Sequence, residues 1–405
     1  MVFNMKEKIK IYALDSEGRG IGKLNGKVVF VPNALVGETV YIELIKEKRK
    51  YSVGRIISYL EKSQKRVHPI CPLFGICGGC DIMHMSYEEQ LCFKEDKVKN
   101  VLRDLIDIDL INNIVYDNNL YYRNKVTFKV DEKIGFYEKD SHRIVSVDTC
   151  FLISEKMNQI LKEIHKKIPL SFLEEVMIRE GKYTKEVMVY LKGKNMNFDF
   201  TFLKEFVTTF LFDDGNVHIL WGDGFIHEKL EQYTYKISPL SFFQVNTDGA
   251  IKLYNVLKSY IEEGETVLDL YCGTGSIGIF LSDKIKSLYG VELCKSAVED
   301  AFENKKKNQL QNAHFSCLNT SLFHEKLDKF STVIVDPPRS GLDKHTKEHL
   351  LKEKVPKIIY VSCDLMTLKR DLEVLLKQYK VESITPVDMF PNTYHVECVC
   401  VLNRR

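Results

Sequence analysis

The feature that most constrains this chain is the alternation that begins near Ser241, where short apolar runs start to alternate with stretches of helical length. That pattern predicts a doubly wound parallel sheet, whose strands end together along one crevice. Thr266-Val267-Leu268-Asp269-Leu270-Tyr271 reads as such a strand, and Cys272-Gly273-Thr274-Gly275-Ser276-Ile277-Gly278 as the glycine loop that turns it into a helix. By itself the loop is G-x-G-x-x-G, which dinucleotide-binding folds share. Asp269 argues for a different ligand: a carboxylate before the loop opposes a pyrophosphate and suits the ammonium of S-adenosylmethionine. Glu292, which ends a second strand over 287–291, stands where an acid can take both ribose hydroxyls.

Two further strands end in chemistry. Thr332-Val333-Ile334-Val335 runs into Asp336-Pro337-Pro338-Arg339-Ser340-Gly341, whose prolines make a rigid backbone that could not lie inside a central strand. Enzymes that methylate exocyclic amines carry an aromatic where Arg339 stands, and cytosine carbon-5 enzymes acting on RNA carry a cysteine in this loop. This chain has neither. Lys357-Ile358-Ile359-Tyr360-Val361 then leads into Ser362-Cys363-Asp364, so Cys363 is displayed at the carboxyl end of a buried strand and is the candidate nucleophile. Its plainer alternative is one more small buried side chain. Near the end, Glu397 begins the final strand; it reads either as a base beside the same crevice or as an ordinary strand-end acid. Cys398 and Cys400 share a face and are expected in the core.

Upstream the composition matters locally. The 405 residues carry a net charge of only +2, yet residues 46–66 hold eight basic against two acidic residues, interleaved with Tyr51 and Tyr59. Such a patch suits phosphate contacts or a merely solvated face. Residues 7–60 read as short strands with glycine turns, Asn25-Gly26 being a hairpin signal, and so as a small β-barrel. With no export signal, the 11 cysteines point to metal ligation or catalysis rather than disulfides. Cys71, Cys77 and Cys80 form a C-x5-C-x2-C run among glycines, which suits an iron–sulfur cluster, with Cys150 as the expected fourth ligand and zinc as the rival. His84 reads as a packing or polar neighbour, and Cys92 as an inert position on a helix from Tyr87. Residues 108–240 predict a mixed region with strands over 122–128 and 187–191 and a helix over 156–166; Arg123 and Lys125 there could meet RNA.

Several segments together resemble the RNA uridine carbon-5 methyltransferases of the RumA/TrmA type. They are the cysteine run, Ser241-Phe242-Phe243-Gln244-Val245-Asn246, residues 269–275, Asp336-Pro337-Pro338-Arg339, Ser362-Cys363-Asp364 and His395-Val396-Glu397. Residues around Gly20-Ile21-Gly22 and Phe30-Val31-Pro32 resemble a TRAM domain. The resemblance implies S-adenosylmethionine contacts from Gln244, Tyr271, Glu292 and Asp336, with Cys363 as nucleophile and Glu397 as base. One departure is Asp364-Leu365, where the family more often has Asn-Pro, which bears on how the next helix begins. The expected fold is α/β: a Rossmann-like methyltransferase domain over 241–405, a TRAM-like RNA-binding barrel over 1–62, and a central α+β region with a [4Fe-4S] site over 63–240. The barrel and cysteine run point to the RumA-like branch and so to large-subunit ribosomal RNA; tRNA is the alternative, and a dehydrogenase or a non-catalytic RNA-binding protein are the other classes. A cytoplasmic monomer that needs no protein partner or membrane completes the expectation.

Overall fold

The computed structural model describes residues 6–194, 198–323 and 326–405. The chain divides into two compact units. One comprises Met1–Lys97, Phe136–Val145 and Phe390–Tyr394; the other comprises Val98–Gly135, Ser146–Met389 and His395–Arg405.

In the first unit, six strands form one sheet in the spatial order Glu7–Lys10, Thr39–Glu47, Tyr51–Glu61, Lys27–Val31, Gly20–Leu24, Ala13–Leu14. Alternate residues point inward, so Ile9, Val29, Val31, Val40 and Ile42 pack into one interior. The sheet curls into a barrel because Gly22 allows close approach: a Cβ there would lie 2.5 Å from the Ile9 side chain. Asn25 and Gly26, at φ 49° and 81°, make the primed hairpin turn that their sequence predicts. The basic stretch is less free than its count suggests. Arg55 pairs with Glu43, and Arg66 is held 2.6 Å from the fully buried Glu38, while Lys48, Arg49 and Lys50 stay exposed at a hairpin tip.

Beyond the barrel, Cys71, Cys77 and Cys80 are half-buried on a glycine-rich turn and form no disulfide, and Gly79 N–H lies 3.4 Å from Cys77 Sγ. Cys150 belongs to the second unit, where Asn158 brackets its backbone with bonds of 2.8 and 3.0 Å. The donor chemistry fits iron, but among the described residues no three His, Cys, Asp or Glu side chains are gathered as a metal centre.

The second unit holds two layers of architecture. Its upstream part pairs Leu173–Glu180 between Val187–Gly193 and Lys125–Val130, next to the helix Glu155–Lys167 capped by Ser154. The predicted strand over 122–128 begins only at Lys125, because Tyr121 turns at φ 54° and residues 121–124 bond to loops at Phe151, Leu152 and Val245 instead. Downstream lies the predicted doubly wound sheet. Its order is Ala313–Cys317, Ser287–Glu292, Thr266–Leu270, Thr332–Val335, Lys357–Ser362, Glu397–Arg404, Tyr379–Val387. The first five strands run parallel, and Glu397–Arg404 is antiparallel to both of its neighbours. The chain reverses direction across the sheet between Thr266–Leu270 and Thr332–Val335, the switch point where such folds open a ligand crevice. Among the described residues, no helix is long and apolar enough to cross a membrane.

Candidate active site

Register places the side chains. Leu270 pairs with Val291 on one side and Val335 on the other, so Tyr271, Glu292 and Asp336 follow at one level, just past three adjacent strands. In the antiparallel pair, Ser362 faces Cys398 as the last rung; Cys363 follows Ser362 on one strand and Glu397 precedes Cys398 on the other, and the charge of Glu397 reaches the Cys363 thiol. The two candidate catalytic groups are therefore brought together from residues 34 apart in sequence.

The glycine loop is shaped for close approach. Gly273 and Gly275 take φ 55° and 76°, and a Cβ on Gly273 would meet nothing within 4 Å, which leaves open space above the loop. Glu292 is locked to this loop, accepting from Gly273 N at 3.1 Å and Cys294 N at 2.8 Å, which leaves lone pairs for a ligand. Asp269 is fully buried, and neither carboxylate oxygen has a partner of full hydrogen-bond geometry; the Gly278 N–H is near enough only to favour its charge weakly. Burial first, then the charge of Asp336, raises its pKa well above the carboxylate range. An orphaned buried acid calls for a cationic donor, and the ammonium of S-adenosylmethionine is one.

The other predicted contacts are placed less directly. Tyr271 sits at φ 65° with its hydroxyl donating to Asp343 at 3.1 Å, so its side chain is already held at the start of the helix Lys344–Lys352. Gln244 is nearly buried, and its backbone oxygen accepts from Asn124 at 2.9 Å. Two residues on, Asn246 caps Thr247–Ser259 and donates to Met389 O at 3.1 Å, which fixes the loop that carries Gln244.

Burial governs the reactive groups. It pushes half-buried Cys363 up to about 11, with the charges of Glu397 and Asp336 adding to the rise. Glu397, 6% exposed, is pushed up to about 8 by burial and then by Asp336. Asp336 itself rises to about 7 through burial, although part of its surface still faces solvent. Arg339 opposes the shifts of both Cys363 and Glu397. In sequence Arg339 stands out only as a missing aromatic; its two charge effects on one crevice become visible only in the fold. The loop that carries it is anchored by Asp371, a buried acid that accepts from Leu342 N at 2.7 Å and Tyr360 Oη at 2.9 Å. Past Cys363, Asp364 caps the helix Leu365–Leu375 by accepting from Met366 N and Thr367 N at 3.0 and 2.9 Å, so the helix begins cleanly without the family's Asn-Pro.

Comparisons with known proteins point to one family. Residues 216–405 match the family model described as tRNA (uracil-5-)-methyltransferase, and residues 6–57 match the TRAM domain. A chain of Clostridium tetani described as an uncharacterized RNA methyltransferase is 36% identical, over 98% of this chain and 96% of its own length. One from Clostridium acetobutylicum with the same description is 35% identical, over 99% and 97%. Among solved structures, the Pyrococcus abyssi tRNA (uracil-54, C5)-methyltransferase in complex with S-adenosyl-L-homocysteine superposes with a TM-score of 0.82 at 29% identity, covering 98% of this chain and 99% of that one.

Proposed function

The chain belongs to the RNA uracil-5-methyltransferases of the RumA/TrmA type, and we propose that it methylates carbon 5 of a uridine in large-subunit ribosomal RNA through a covalent adduct on Cys363. The observation that supports the mechanism is that Cys363 and Glu397 stand just past the last rung, Ser362–Cys398, on adjacent strands.

Uracil carbon 5 is too weak a nucleophile to attack a sulfonium methyl. Cys363 thiolate adds to carbon 6, and the ring electrons move to form an enolate. Carbon 5 of the enolate takes the methyl group, and the cofactor leaves as S-adenosylhomocysteine. Glu397 in its ionised form, which the charge of Arg339 favours, then removes the carbon-5 proton, the carbon 5–carbon 6 double bond re-forms and the thiolate is expelled. A paired uridine cannot reach such a crevice, so the target lies in a loop or is flipped out. S-adenosylmethionine is the methyl donor, with its ammonium at Asp269, its ribose hydroxyls at Glu292, and Gln244, Tyr271 and Asp336 completing its surroundings.

The ribosomal assignment rests on the TRAM segment and the cysteine run. A second reading, tRNA, is favoured by the Pyrococcus enzyme, whose match extends over almost the whole of both chains, so the N-terminal module does not separate the two substrates. Mapping 5-methyluridine in ribosomal and transfer RNA from cells with and without this gene decides between them. In this reading residues 1–62 bind RNA, 63–240 carry the [4Fe-4S] cluster on Cys71, Cys77, Cys80 and Cys150, and 241–405 catalyse in a cytoplasmic monomer.

Glu292→Ala is expected to weaken S-adenosylmethionine binding by about 1–3 kcal/mol, the cost of unpaired ribose hydroxyls. RNA affinity stays the same. Calorimetry showing unchanged cofactor affinity would move the ribose contact elsewhere.

Cofactor affinity should also depend on pH. The positive groups of S-adenosylmethionine favour ionised Asp336, whose pKa in the free protein is raised to about 7. Affinity is therefore full above pH 7 and falls as pH drops below it, by up to about tenfold per unit for one proton. A flat affinity across that range places Asp336 away from the cofactor's charge.

The C-x5-C-x2-C spacing predicts that anaerobically purified protein is brown and contains iron and sulfide, and that serine at Cys77 or Cys80 bleaches it. Stoichiometric zinc without iron would sink the cluster assignment.

A further inference from the structure

Gln244, an expected cofactor contact, lies on a loop that begins at Ser238, just past the strand Tyr233–Ile237. Apolar packing does little to hold that loop. Leu240 and Phe242 are 79% and 70% exposed, while Phe243 turns inward, its ring centre 5.8 Å from that of Tyr235. Two buried charges grip the loop instead. Asp300, 2% exposed, accepts from Ser238 Oγ at 2.8 Å on one carboxylate oxygen and from Ser241 Oγ at 2.5 Å on the other. Arg179, buried on the strand Leu173–Glu180, donates from Nη1 to the carbonyls of the same two residues, at 3.3 Å for Ser238 and 3.2 Å for Ser241. Burial pulls the Arg179 guanidinium down to about 10, and the charge of Asp300 acts against that fall. The helix that carries Asp300, Lys295–Lys307, also touches two other cofactor elements. Its N-cap residue, Cys294, donates its N–H to Glu292 at 2.8 Å. Four residues beyond Asp300, and so on the same helix face, the buried Asn304 donates to Thr274 O of the glycine loop at 3.1 Å.

We propose that Asp300 and Arg179 are positioning residues for the methyl donor: they clamp Ser238 and Ser241, and so set Gln244 against Glu292 and the glycine loop before S-adenosylmethionine arrives. The proposal rests on the reading of Gln244 as a cofactor contact. The acid takes the hydroxyls of two serines and the guanidinium takes their carbonyls, so the loop is fixed from two sides. A loop with exposed apolar tips would otherwise have to be ordered by the cofactor, and that ordering would be subtracted from the binding free energy. Both charges are buried and turned to the loop, so they act on the cofactor through Gln244 and not by touching it. The helix Lys295–Lys307 makes the arrangement common to three elements. One rigid rod reaches the ribose acid at its start, the Gln244 loop through Asp300 and the glycine loop through Asn304.

The test is a set of double-mutant cycles on the full-length protein, read by calorimetry with S-adenosylmethionine. Asp300→Asn and Arg179→Gln should each raise the Kd about 5- to 150-fold, the loss of a charged hydrogen-bond partner from a buried network. Ser241→Ala removes one hydroxyl and no charge, and should raise the Kd by a smaller factor. Each substitution is then repeated in Gln244→Ala, where the contact that the clamp serves is already gone. There it should add less than about twofold, because residues acting through one contact are not additive. If Asp300→Asn or Arg179→Gln proves unstable, as loss of one buried charge can make it, Ser241→Ala carries the same cycle. The same factor in both backgrounds would mean general loosening of the fold and overturns the proposal. Unchanged affinity in the three variants, with a loss in Gln244→Ala, refutes the clamp and leaves Gln244 as a contact. Unchanged affinity in Gln244→Ala refutes the contact and the proposal with it. Cofactor binding does not depend on which RNA is modified, so intact cycles without methyl transfer to any RNA refute the activity alone.

Discussion

Cys363→Ala should abolish both methyl transfer and any covalent protein–RNA complex, with the rate falling by about 10⁴-fold or more, as when a nucleophile is removed from a catalytic unit. The size follows from the chemistry, because without addition at carbon 6 the uracil ring has no enolate to offer the sulfonium. It also follows from the fold. Cys398 and Cys400 are 0% exposed in the core, so neither can substitute as nucleophile. Cys363 is half-buried at the end of its strand, so alanine should cost little stability, and the melting temperature should stay within a few degrees. The readout is a denaturing gel with labelled RNA carrying 5-fluorouridine. The wild type should be trapped on it, because fluorine cannot leave carbon 5 as a cation. An adduct that persists in Cys363→Ala assigns the nucleophile to another cysteine.

The catalytic sheet could be read in advance because each of its buried strands is a short apolar run with its polar residues placed at the end. Asp269, Glu292, Asp336 and Cys363 all stand at such ends, and buried parallel strands show this pattern without any tertiary information. The nearness of Cys363 to Glu397 could not be read so directly. It depends on the final strand inserting antiparallel between two others, a register that no local pattern records. The same limit applies to charge. The excess over residues 46–66 was plain, but the Arg66–Glu38 pair spans 28 positions and removes one of those cations from solvent. The strand expected over 122–128 began late because Tyr121 adopts a left-handed turn, a conformation uncommon for a residue with a side chain. In sequence His84 reads as a packing or polar neighbour. The fold buries it as expected but leaves both ring nitrogens unpartnered, and whether a buried polar group is satisfied is not a property of sequence.

Glu397→Gln should have the opposite effect on the covalent complex: a methylated adduct should accumulate on ordinary RNA. Addition needs only Cys363, and methyl transfer needs only the enolate, so both steps survive. Release does not, because an amide cannot accept the carbon-5 proton, and loss of a positioned base slows such a step by about 10²–10⁴-fold. The substitution should leave the fold intact for a specific reason. Glu397 is pushed up to about 8, chiefly by burial, so in the empty protein at pH 7 it is mostly the neutral acid, which glutamine matches in shape and charge. Single-turnover reactions with methyl-labelled cofactor should therefore show label transferred at nearly the wild-type rate but retained at the protein's position on a denaturing gel. Normal turnover by Glu397→Gln would mean that water or another acid removes the proton. Glu397 would then be a buried strand-end acid, placed near the nucleophile without serving it.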